Sequence, residues 1–569
     1  MGAHQDWRKQ TEEQKVAINQ HHIAKIAEFF RGRAGKQKTK AVDQPLDQRL
    51  ANYIIEGTKE GLIADLELKR AEGAAPLDII NGPLMAGMAE VGRLFNANEL
   101  IVAEVLQSAE AMKAAVNHLE QFMEKADTAS RGRIVLATVK GDVHDIGKNL
   151  VEIILSNNGY QVINLGIKIP SDQLIQAFRE YKPDAIGLSG LLVKSAQQMV
   201  LTAADFKDAG IDVPLLVGGA ALSERFTVNK IAPAYGEAVC YAKDAMTGLR
   251  IMNRIMDPAE RETVLAENRN RVAAVVVETP VEEIALAKSE ERSTKVRIDI
   301  PVMAAPYLDR KVRDVPQLQE IWSYINPFML FGRHLGYKGN FEKDLAQGEA
   351  KALELNSMVE GLKREAGSFL KVKAVWQFFE AERAGNSIDL YSPGGTNPIH
   401  TFHFGRQPRE NGLCLSDYIL PAKEGARDHL ALFVVTAGAG VREKSEEMKA
   451  TGEYFLAHGL QALAIESAEG CAEWLHRRIR EDWGFPDAPE MTMQERFTSR
   501  YRGKRYSFGY PACPNLDDQM GIWKLIHPED IGVELTEGMM MEPEASVSAL
   551  VFAHPDCAYF TAADDRDGE

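Results

Sequence analysis

Apolar residues recur at two different spacings along the chain, and the change divides it. Over 45–125 they follow helical spacing, as at Leu84, Met88 and Val91, which predicts a bundle of about four helices. From Arg131 onward, short β-branched runs alternate with amphipathic stretches. The runs cover 134–139, 161–166, 185–190, 214–219 and 237–242. This alternation predicts parallel strands joined by helices, and therefore a doubly wound α/β sheet.

These patterns predict a multidomain chain. A helical bundle precedes a doubly wound parallel-sheet α/β domain, and a separate α+β domain with aromatic and glycine-rich loops follows. The segments are an N-terminal helix and linker over 1–42, the helical bundle over 43–128, the α/β domain over 129–260, a linker with room for one helix over 261–300, and the C-terminal domain over 301–569. Within the α/β domain, Ser171 is predicted to be the N-cap of the helix after the second strand.

Composition excludes several classes of protein. The formal charge of −16 argues against a nucleic-acid-binding surface, which needs clustered Lys and Arg. The five cysteines are scattered and form no CxxC pair, so we expect no disulfide framework, no thiolate zinc site and a reducing, cytoplasmic environment. No apolar run reaches the roughly 18–20 residues that span a bilayer, and the N-terminus lacks the order of a signal peptide.

Candidate chemistry lies where the predicted strands end. Asp142, His144 and Gly147 follow the first strand, Ser189-x-Leu191 ends the third and Gly218-Gly219 ends the fourth. The DxHxxG pattern alone is weak, because Asp142 could cap a helix and His144 could be a surface histidine. Because parallel strands end at one edge of a sheet, all these residues are expected on one rim, where such folds bind ligands.

The combination D142-V-H144-D-I-G147, S189-G-L191 and G218-G219 resembles the motif of proteins that bind cobalamin with its own base displaced by a protein histidine. The resemblance implies that His144 is the axial ligand to cobalt and that Asp142 and Ser195 form a proton relay with it. A neutral imidazole is a suitable ligand for cobalt. The other cobalamin contacts implied in this domain are Gly141, Val143, Asp145, Gly147, Ser189, Leu191, Val193, Gly218, Gly219 and Ala245.

The helical bundle resembles the cap that covers the methyl face of the corrin in cobalamin-dependent methionine synthases. In VGRLFNANELIVAE, over 91–104, the resemblance makes Phe95 the shielding aromatic, although Phe95 could equally be a core residue. Three corrin contacts depart from the family pattern. Val102 stands in place of a leucine, Asn81 in place of an acidic residue and Val193 in place of a threonine.

The C-terminal domain distinguishes this family from other corrinoid proteins. RYSFGYPACP, over 505–514, resembles the loop that holds S-adenosylmethionine (AdoMet) in the reactivation domain of cobalamin-dependent methionine synthases. The resemblance makes Arg505 the clamp for the methionyl carboxylate. The other AdoMet contacts implied are Ser507, Gly509, Tyr510, Glu469, Tyr559 and Phe560. Tyr324 replaces an expected aspartate, for which Asn326 is a candidate substitute.

The resemblance implies a methyltransferase fragment. Its cofactors would be methylcobalamin and AdoMet, and its reaction the reductive methylation of cob(II)alamin. The implied partners are upstream homocysteine and methyltetrahydrofolate modules and a flavodoxin-like electron donor, and the implied state is a monomer. Two alternatives stay open. A stand-alone corrinoid carrier would share 45–250 but end there, and a B12-sensing regulator would need a helix-turn-helix and a basic face.

Overall fold

The computed structural model describes residues 44–123, 130–275, 290–422 and 426–562. The predicted N-terminal helix and linker over 1–42 lie outside the described residues. Among those described, no helix is both long and apolar enough to cross a bilayer.

The helical bundle has the predicted apolar core. Its helices are α1 (Leu46–Ile55), α2 (Leu62–Ala71), α3 (Pro76–Ile79), α4 (Met85–Asn96) and α5 (Val102–Glu120), with a π-helical turn over Ile80–Leu84 joining α3 to α4. Leu84, Met88 and Val91, which share one face at helical spacing, are at most 2% exposed. Burial of this stripe, rather than helix propensity alone, stabilises the bundle.

The α/β domain contains a five-stranded parallel sheet in the order β2-β1-β3-β4-β5. Its strands are β1 (Arg133–Thr138), β2 (Gln161–Asn164), β3 (Ala185–Ser189), β4 (Leu215–Gly218) and β5 (Val239–Tyr241). Its helices are α6 (Ile146–Ser156), α7 (Ser171–Tyr181), α8 (Val193–Asp208), α9 (Glu224–Phe226), α10 (Ala232–Tyr235) and α11 (Ala245–Met256), with a π-helical turn over Thr227–Ile231. The connections after β1 and β3 run in opposite directions along the sheet, so a crevice opens between the carboxyl ends of these two neighbouring strands.

One local prediction in this domain is wrong. Ser171 is the first residue of α7, and the residue before the helix is Pro170. The Ser171 hydroxyl donates a hydrogen bond to Asp205 instead of capping the helix. The predicted strands also end one or two residues too late, and at β2, β3 and β4 the surplus includes Gly166, Gly190 and Gly219, which belong to the loops.

The C-terminal domain follows α12 (Arg261–Val275) and contains an antiparallel seven-stranded sheet in the order β11-β14-β10-β7-β8-β9, with β6 also paired to β7. Its strands are β6 (Lys311–Asp314), β7 (Lys373–Ala384), β8 (Ser387–Tyr391), β9 (His400–His403), β10 (Asp428–Thr436), β11 (Lys504–Tyr506) and β14 (Ser546–Phe552), beside a small ribbon of β12 (Glu534–Leu535) and β13 (Met541–Glu542).

The helices of this domain cover its sheet. They are α13 (Leu318–Trp322), α14 (Phe341–Ala346), α15 (Ala350–Ala366), α16 (Val441–Thr451), α17 (Tyr454–Asp482), α18 (Met493–Phe497) and α19 (Met520–Ile526), with a π-helical segment over Phe328–His334. Short 3₁₀ turns cover Leu415–Tyr418, Leu516–Gln519 and Pro528–Ile531. The 29-residue helix α17 is buried along most of its length. The predicted architecture of bundle, parallel-sheet domain and α+β domain is confirmed.

Candidate functional site

The loop between β1 and α6 holds His144 in one orientation. The Nδ1 atom of His144 donates to Oδ1 of Asp142 at 2.6 Å, and the backbone N–H of His144 donates to the same oxygen at 2.9 Å. The carbonyl of His144 accepts from the Thr138 hydroxyl at 3.0 Å. Because Nδ1 is engaged, Nε2 is the ring nitrogen left to coordinate a metal.

The second oxygen of Asp142 connects this loop to the end of β3. It accepts from the Ser195 hydroxyl at 2.5 Å and from the backbone N–H of Leu191 at 2.8 Å. Asp142 is fully buried, yet the hydrogen bonds from His144 and Ser195 outweigh burial and lower its pKa. The structure therefore brings Asp142, His144 and Ser195 together as one hydrogen-bonded group, with the carboxylate in the middle.

The two glycines at the end of β4, Gly218 and Gly219, let the loops meet. The backbone N–H of Gly190 donates to the carbonyl of Gly218 at 3.3 Å. Gly219 has a φ of +149°, and a Cβ atom there would lie 1.7 Å from the carbonyl oxygen of Gly190. Only glycine fits such a backbone approach. The three parts of the motif thus converge on one rim, as the sequence predicts.

The remaining predicted cobalamin contacts of this domain differ in accessibility. Val143, Asp145 and Ala245 are buried, whereas Leu191 is 37% and Val193 64% exposed. Gly147 lies in the first turn of α6, is exposed, and a Cβ atom there would meet open space. A ligand on this rim could reach Leu191, Val193 and Gly147 without displacing protein.

The bundle residues that are predicted to cover the corrin make other contacts in this structure than with the rim that carries His144. Phe95 packs against the buried cluster that includes Val91 and Leu155, Asn81 is exposed, and Val102 packs against the C-terminal domain. A Cβ atom on Gly336, whose φ is +80°, would lie 2.9 Å from the backbone nitrogen of Val102. The shielding parts of Phe95 and Val102 therefore stay predictions that need a different placement of the bundle.

The C-terminal domain lies directly against the His144 loop. The Thr536 hydroxyl donates to the carbonyl of Gly141 at 2.7 Å, and the Gln461 side chain donates to Asp145 at 2.7 Å. Gly141, with a φ of +78°, leaves no room for a Cβ atom because Gly538 would be 2.9 Å away. These contacts cover the loop from two separate segments of the C-terminal domain.

The C-terminal domain also acts on the His144 loop through charge. The carboxylate of Glu544, which follows β13, acts electrostatically on the imidazole of His144. Burial alone would lower the pKa of His144, but the hydrogen bond to Asp142 and the negative charges of Glu544 and Asp145 outweigh it and raise the pKa. Burial raises the pKa of Glu544 to about 7. A cavity of about 290 Å³ lies here, lined by Asp145, Gln461, Ile465, Glu544 and Ala545 among others.

A second cavity of about 540 Å³ contains most of the predicted AdoMet contacts. Its lining includes Glu469, Arg505, Ser507, Tyr510, Tyr559 and Phe560. Gly509 belongs to the same loop and has a φ of +86°. Tyr510 and Tyr559 are 63% and 58% exposed, so both rings are open to a ligand.

Tyr324 and Asn326 do not line this cavity. The Tyr324 side chain is buried, and its hydroxyl accepts from Arg477 at 2.7 Å. The Asn326 side chain accepts from the backbone N–H of Phe328 at 3.0 Å and closes a local turn. Asn326 thus lies outside the cavity lining in this structure, and its part as a substitute for the aspartate stays a prediction.

Sequence reasoning missed the residues that reach these cavities from remote segments. Gln461 belongs to no motif. Thr536 and Glu544 lie in LTEG and EASVSALVFAHPDCAYF, two stretches that also resemble the reactivation domain, but the resemblance assigns neither residue a part. Glu473 contacts Arg505 at 2.5 Å, and here a signal existed, because Glu473 follows the predicted contact Glu469 by four residues on one helix.

Comparison with known proteins supports the assignment of the B12-binding part and of the C-terminal domain. Residues 46–120 and 132–250 each match a family described as "B12 binding domain", and residues 317–566 match "Vitamin B12 dependent methionine synthase, activation domain". The methionine synthase of Mycobacterium tuberculosis is 37% identical over 91% of this chain, and that of Mycobacterium leprae is 35% identical over 91%. The chain spans 46% of the length of each.

A solved structure with a related sequence, "Crystal Structure of the MetH Reactivation Domain bound to AdoHcy", is 28% identical, with a TM-score of 0.42 over 46% of this chain and 83% of that one. The sequence matches cover the bundle, the α/β domain and the C-terminal domain in the same order. The chain therefore belongs to the cobalamin-dependent methionine synthase family, of which it carries the B12-binding regions and the activation domain.

Proposed function

We propose that this chain binds cobalamin with the cofactor's own base displaced and His144 as axial ligand, and that it restores the methylated cofactor with AdoMet. When bound, cobalamin supplies a cobalt centre that accepts the AdoMet methyl group after one-electron reduction, while S-adenosylhomocysteine leaves. The rest of the proposal concerns what the side chains of this protein do for that exchange.

His144 suits the axial position. Its Nδ1 is held by a buried carboxylate, which orients the ring and raises the basicity of Nε2. Asp142 also accepts from Ser195, so a proton taken up at His144 has a carboxylate and a hydroxyl to share it. The hydrogen-bonded group of Asp142, His144 and Ser195 would thus lower the free-energy difference between the cobalt-bound and the released form of the imidazole.

The adjacency of the two cavities is the observation that carries the proposal. Ile465 on α17 lines the cavity beside the His144 loop, and Glu469, one helical turn further, lines the Arg505 cavity. Ala545 and Val547, two residues apart beside and on β14, do the same. One helix and one strand thus connect the site beside His144 to the site beside Arg505.

Arg505 would hold the carboxylate of AdoMet. A guanidinium binds a carboxylate through two parallel hydrogen bonds, which fixes the ligand's orientation as well as its position. The exposed rings of Tyr510 and Tyr559 would lie against the nucleoside. Holding the sulfonium carbon in line with the cobalt would then account for most of the rate, because positioning removes entropy from the barrier.

We also propose the parts that lie beyond this chain. In the longer proteins, upstream modules would bring methyltetrahydrofolate and homocysteine to the same cofactor, and a flavodoxin-like protein would supply the electron. The helical bundle would return over the corrin when the C-terminal domain leaves, which is a domain-scale exchange.

The test is to load the full chain with cob(II)alamin and add titanium(III) citrate with or without AdoMet. We expect the absorption spectrum of methylcobalamin only when both are present. Tight cobalamin binding without remethylation would favour the corrinoid carrier or the B12-sensing regulator instead.

Two variants assign the residues. His144→Gly should bind methylcobalamin but give the spectrum of the form without a protein axial ligand, whereas His403→Gln, which changes an exposed histidine of β9, should match the parent. Arg505→Ala should raise the AdoMet concentration needed for half-maximal remethylation at least tenfold. An unchanged spectrum in His144→Gly would overturn the ligand assignment.

A further inference from the structure

Behind Arg505 lies a row of buried charges that alternate in sign. Arg505 contacts Glu473, Glu473 lies beside Arg480, and Arg480 binds Asp487. Arg480 and Asp487 do not line the Arg505 cavity, and neither does Glu473. The row therefore reaches the candidate AdoMet site through Arg505.

Glu473 is the member that holds Arg505. Its Oε2 atom accepts from Nη1 of Arg505 at 2.5 Å and from the Tyr501 hydroxyl at 3.1 Å. The Glu473 side chain is 9% exposed, so this pair is shielded from water and from salt. Two donors on one oxygen fix the carboxylate, and the carboxylate in turn fixes one edge of the guanidinium.

Arg480 holds Glu473 from the other side. It is fully buried, binds both oxygens of Asp487 at 2.7 and 2.9 Å, and lies over the ring of Tyr501 at 3.7 Å. Its Nη2 atom lies 3.7 Å from Oε1 of Glu473. Among the described residues, Oε1 of Glu473 and Nη1 of Arg480 have no hydrogen-bond partner. The side chains of Glu473 and Arg480 therefore attract each other through their opposite charges and not through a hydrogen bond.

Glu469 makes a contrasting contact with Arg505. It lies 3.5 Å from Nη2, a full ångström further than Glu473 lies from Nη1, and its side chain is 45% exposed. A long, exposed ion pair is worth little. Glu473 therefore holds Nη1 of Arg505 firmly, while Nη2, on the side of the cavity-lining Glu469, is held loosely and stays available to a ligand carboxylate.

We infer that Glu473 is a positioning residue for AdoMet: buried between Arg480 and Tyr501, it turns the guanidinium of Arg505 so that its other edge meets the methionyl carboxylate. The inference rests on the proposed AdoMet site at Arg505. It adds that Glu473 affects the binding of the amino-acid end of the ligand and not that of the nucleoside. Without Glu473, Arg505 would turn towards Glu469 and its outer edge would be blocked.

The experiment compares two ligands on the full chain by isothermal titration calorimetry. S-adenosylhomocysteine carries the amino-acid group, and 5′-methylthioadenosine keeps the nucleoside and thioether but lacks that group. We expect Glu473→Gln to weaken S-adenosylhomocysteine five- to tenfold and to change 5′-methylthioadenosine less than twofold. The matched control is Glu481→Gln on the same helix, whose side chain is 40% exposed and pairs with Arg477. It should change neither.

Other outcomes would overturn the inference. Equal losses for both ligands would show a merely structural part for Glu473, and tighter binding of S-adenosylhomocysteine would show that Glu473 competes with the ligand as an anion. Arg505→Gln separates the two claims. If it leaves both affinities unchanged, the proposed clamp fails; if it weakens S-adenosylhomocysteine while Glu473→Gln does not, only the positioning part fails.

A second variant covers the case in which Glu473→Gln does not fold. Tyr501→Phe keeps the ring under Arg480 and removes the hydrogen bond to Glu473 together with a longer one, of 3.5 Å, to the Ser499 hydroxyl. We expect a two- to threefold loss for S-adenosylhomocysteine and none for 5′-methylthioadenosine. Equal behaviour of the two ligands would contradict the inference here too.

Discussion

At the scale of single residues, Gly219 controls whether the parts of the cobalamin motif can meet. A methyl group there would overlap the carbonyl of Gly190. We expect Gly219→Ala to lower cobalamin affinity more than tenfold, or to prevent folding of the α/β domain, because backbone cannot move aside as a flexible side chain can. Titration with hydroxocobalamin, followed by absorbance, measures this.

Gly210→Ala is the matched control. Gly210 has a φ of +71°, but a Cβ atom there would meet nothing within 4 Å. This variant should lose about 1 kcal/mol of stability from the strained backbone and retain its cobalamin affinity. Equal effects of the two variants would show that backbone strain, not the contact with Gly190, makes glycine necessary.

Buried histidines make the C-terminal domain sensitive to acid. Burial lowers the pKa of His458 to about 4, and it lowers that of His476 well below its usual value. The folded state therefore binds fewer protons than the unfolded state below about pH 6.5, so stability falls as the pH falls from 6.5 towards 4. For His458 alone the loss is about 3 kcal/mol.

We expect His458→Gln to flatten this decline, since glutamine keeps a donor for the carbonyl of His334 without a titrating group. Urea unfolding followed by tryptophan fluorescence at pH 7 and pH 5 measures it, because five of the six tryptophans lie in the C-terminal domain. His403→Gln, at an exposed site, should decline like the parent. Parallel declines in all three proteins would rule out His458 as a cause.

The residues of the motif were predictable, and those that reach it from elsewhere were not. Asp142, His144 and Gly147 are close in sequence, and the parallel sheet brings Ser195 and Gly219 to the same edge. Gln461 and Thr536 lie in another domain and are ordinary polar residues. Only the tertiary structure distinguishes them from the many exposed glutamines and threonines.

At the scale of elements, a glycine pair joins the β1–α6 loop to the turn between β12 and β13. A Cβ atom on Gly538 would lie 2.6 Å from the carbonyl oxygen of Gly141. Gly538 is not among the residues with positive φ, so alanine there costs little within the C-terminal domain itself. Gly538→Ala should therefore separate the two elements without unfolding either.

Hydrogen exchange measures the separation. In Gly538→Ala we expect faster exchange of the amides over 140–142, and a lower rate of AdoMet-dependent remethylation. Gly82→Ala, at an exposed position where a Cβ atom would meet nothing within 4 Å, is the control and should match the parent in both. Unchanged exchange in Gly538→Ala would show that this pair does not hold the domains together.

Element prediction succeeded where the periodicity was strong. The strands of the α/β domain are near-continuous apolar runs, because both faces of a parallel sheet are buried, and helical stripes mark the bundle. The strand order of the C-terminal sheet could not be predicted, since β10 pairs with β7 and β14, each more than 40 residues away in the sequence. The cap at Ser171 failed because Pro170 precedes it, and the helix begins directly after the proline.

At the scale of the whole molecule, two kinds of contact hold the C-terminal domain in place. Towards the α/β domain the contact is rich in ion pairs, in which Lys140, Lys168 and Lys194 bind Glu537, Glu542 and Asp517. Towards the bundle it is mainly apolar, since Ile101 and Leu106 of the bundle are buried in the core of the C-terminal domain, although Glu104 of the bundle also pairs with Lys351. Salt screens the first kind and not the second.

The two contacts should therefore respond differently to salt. Between 0.05 and 1 M sodium chloride, we expect faster amide exchange over 140–142 and a smaller change over 105–109, where the contact is apolar, because exposed ion pairs contribute only about 0–1 kcal/mol each and lose that on screening. Reversal of this order, with the bundle contact loosening first, would contradict the assignment. Neither contact has a sequence pattern, so the docking of the domains lay beyond prediction.

We propose that one chain brings AdoMet and cobalamin together for methyl transfer. The most direct measurement supplies AdoMet labelled with ¹³C in its methyl group to the chain loaded with cob(II)alamin, under titanium(III) citrate, and records the ¹³C spectrum. We predict that the label appears on the cobalt-bound methyl group in the parent, and at least tenfold more slowly in Arg505→Ala at limiting AdoMet. Label that stays entirely on AdoMet, with cobalamin bound and reduced, would show that the chain does not transfer the methyl group.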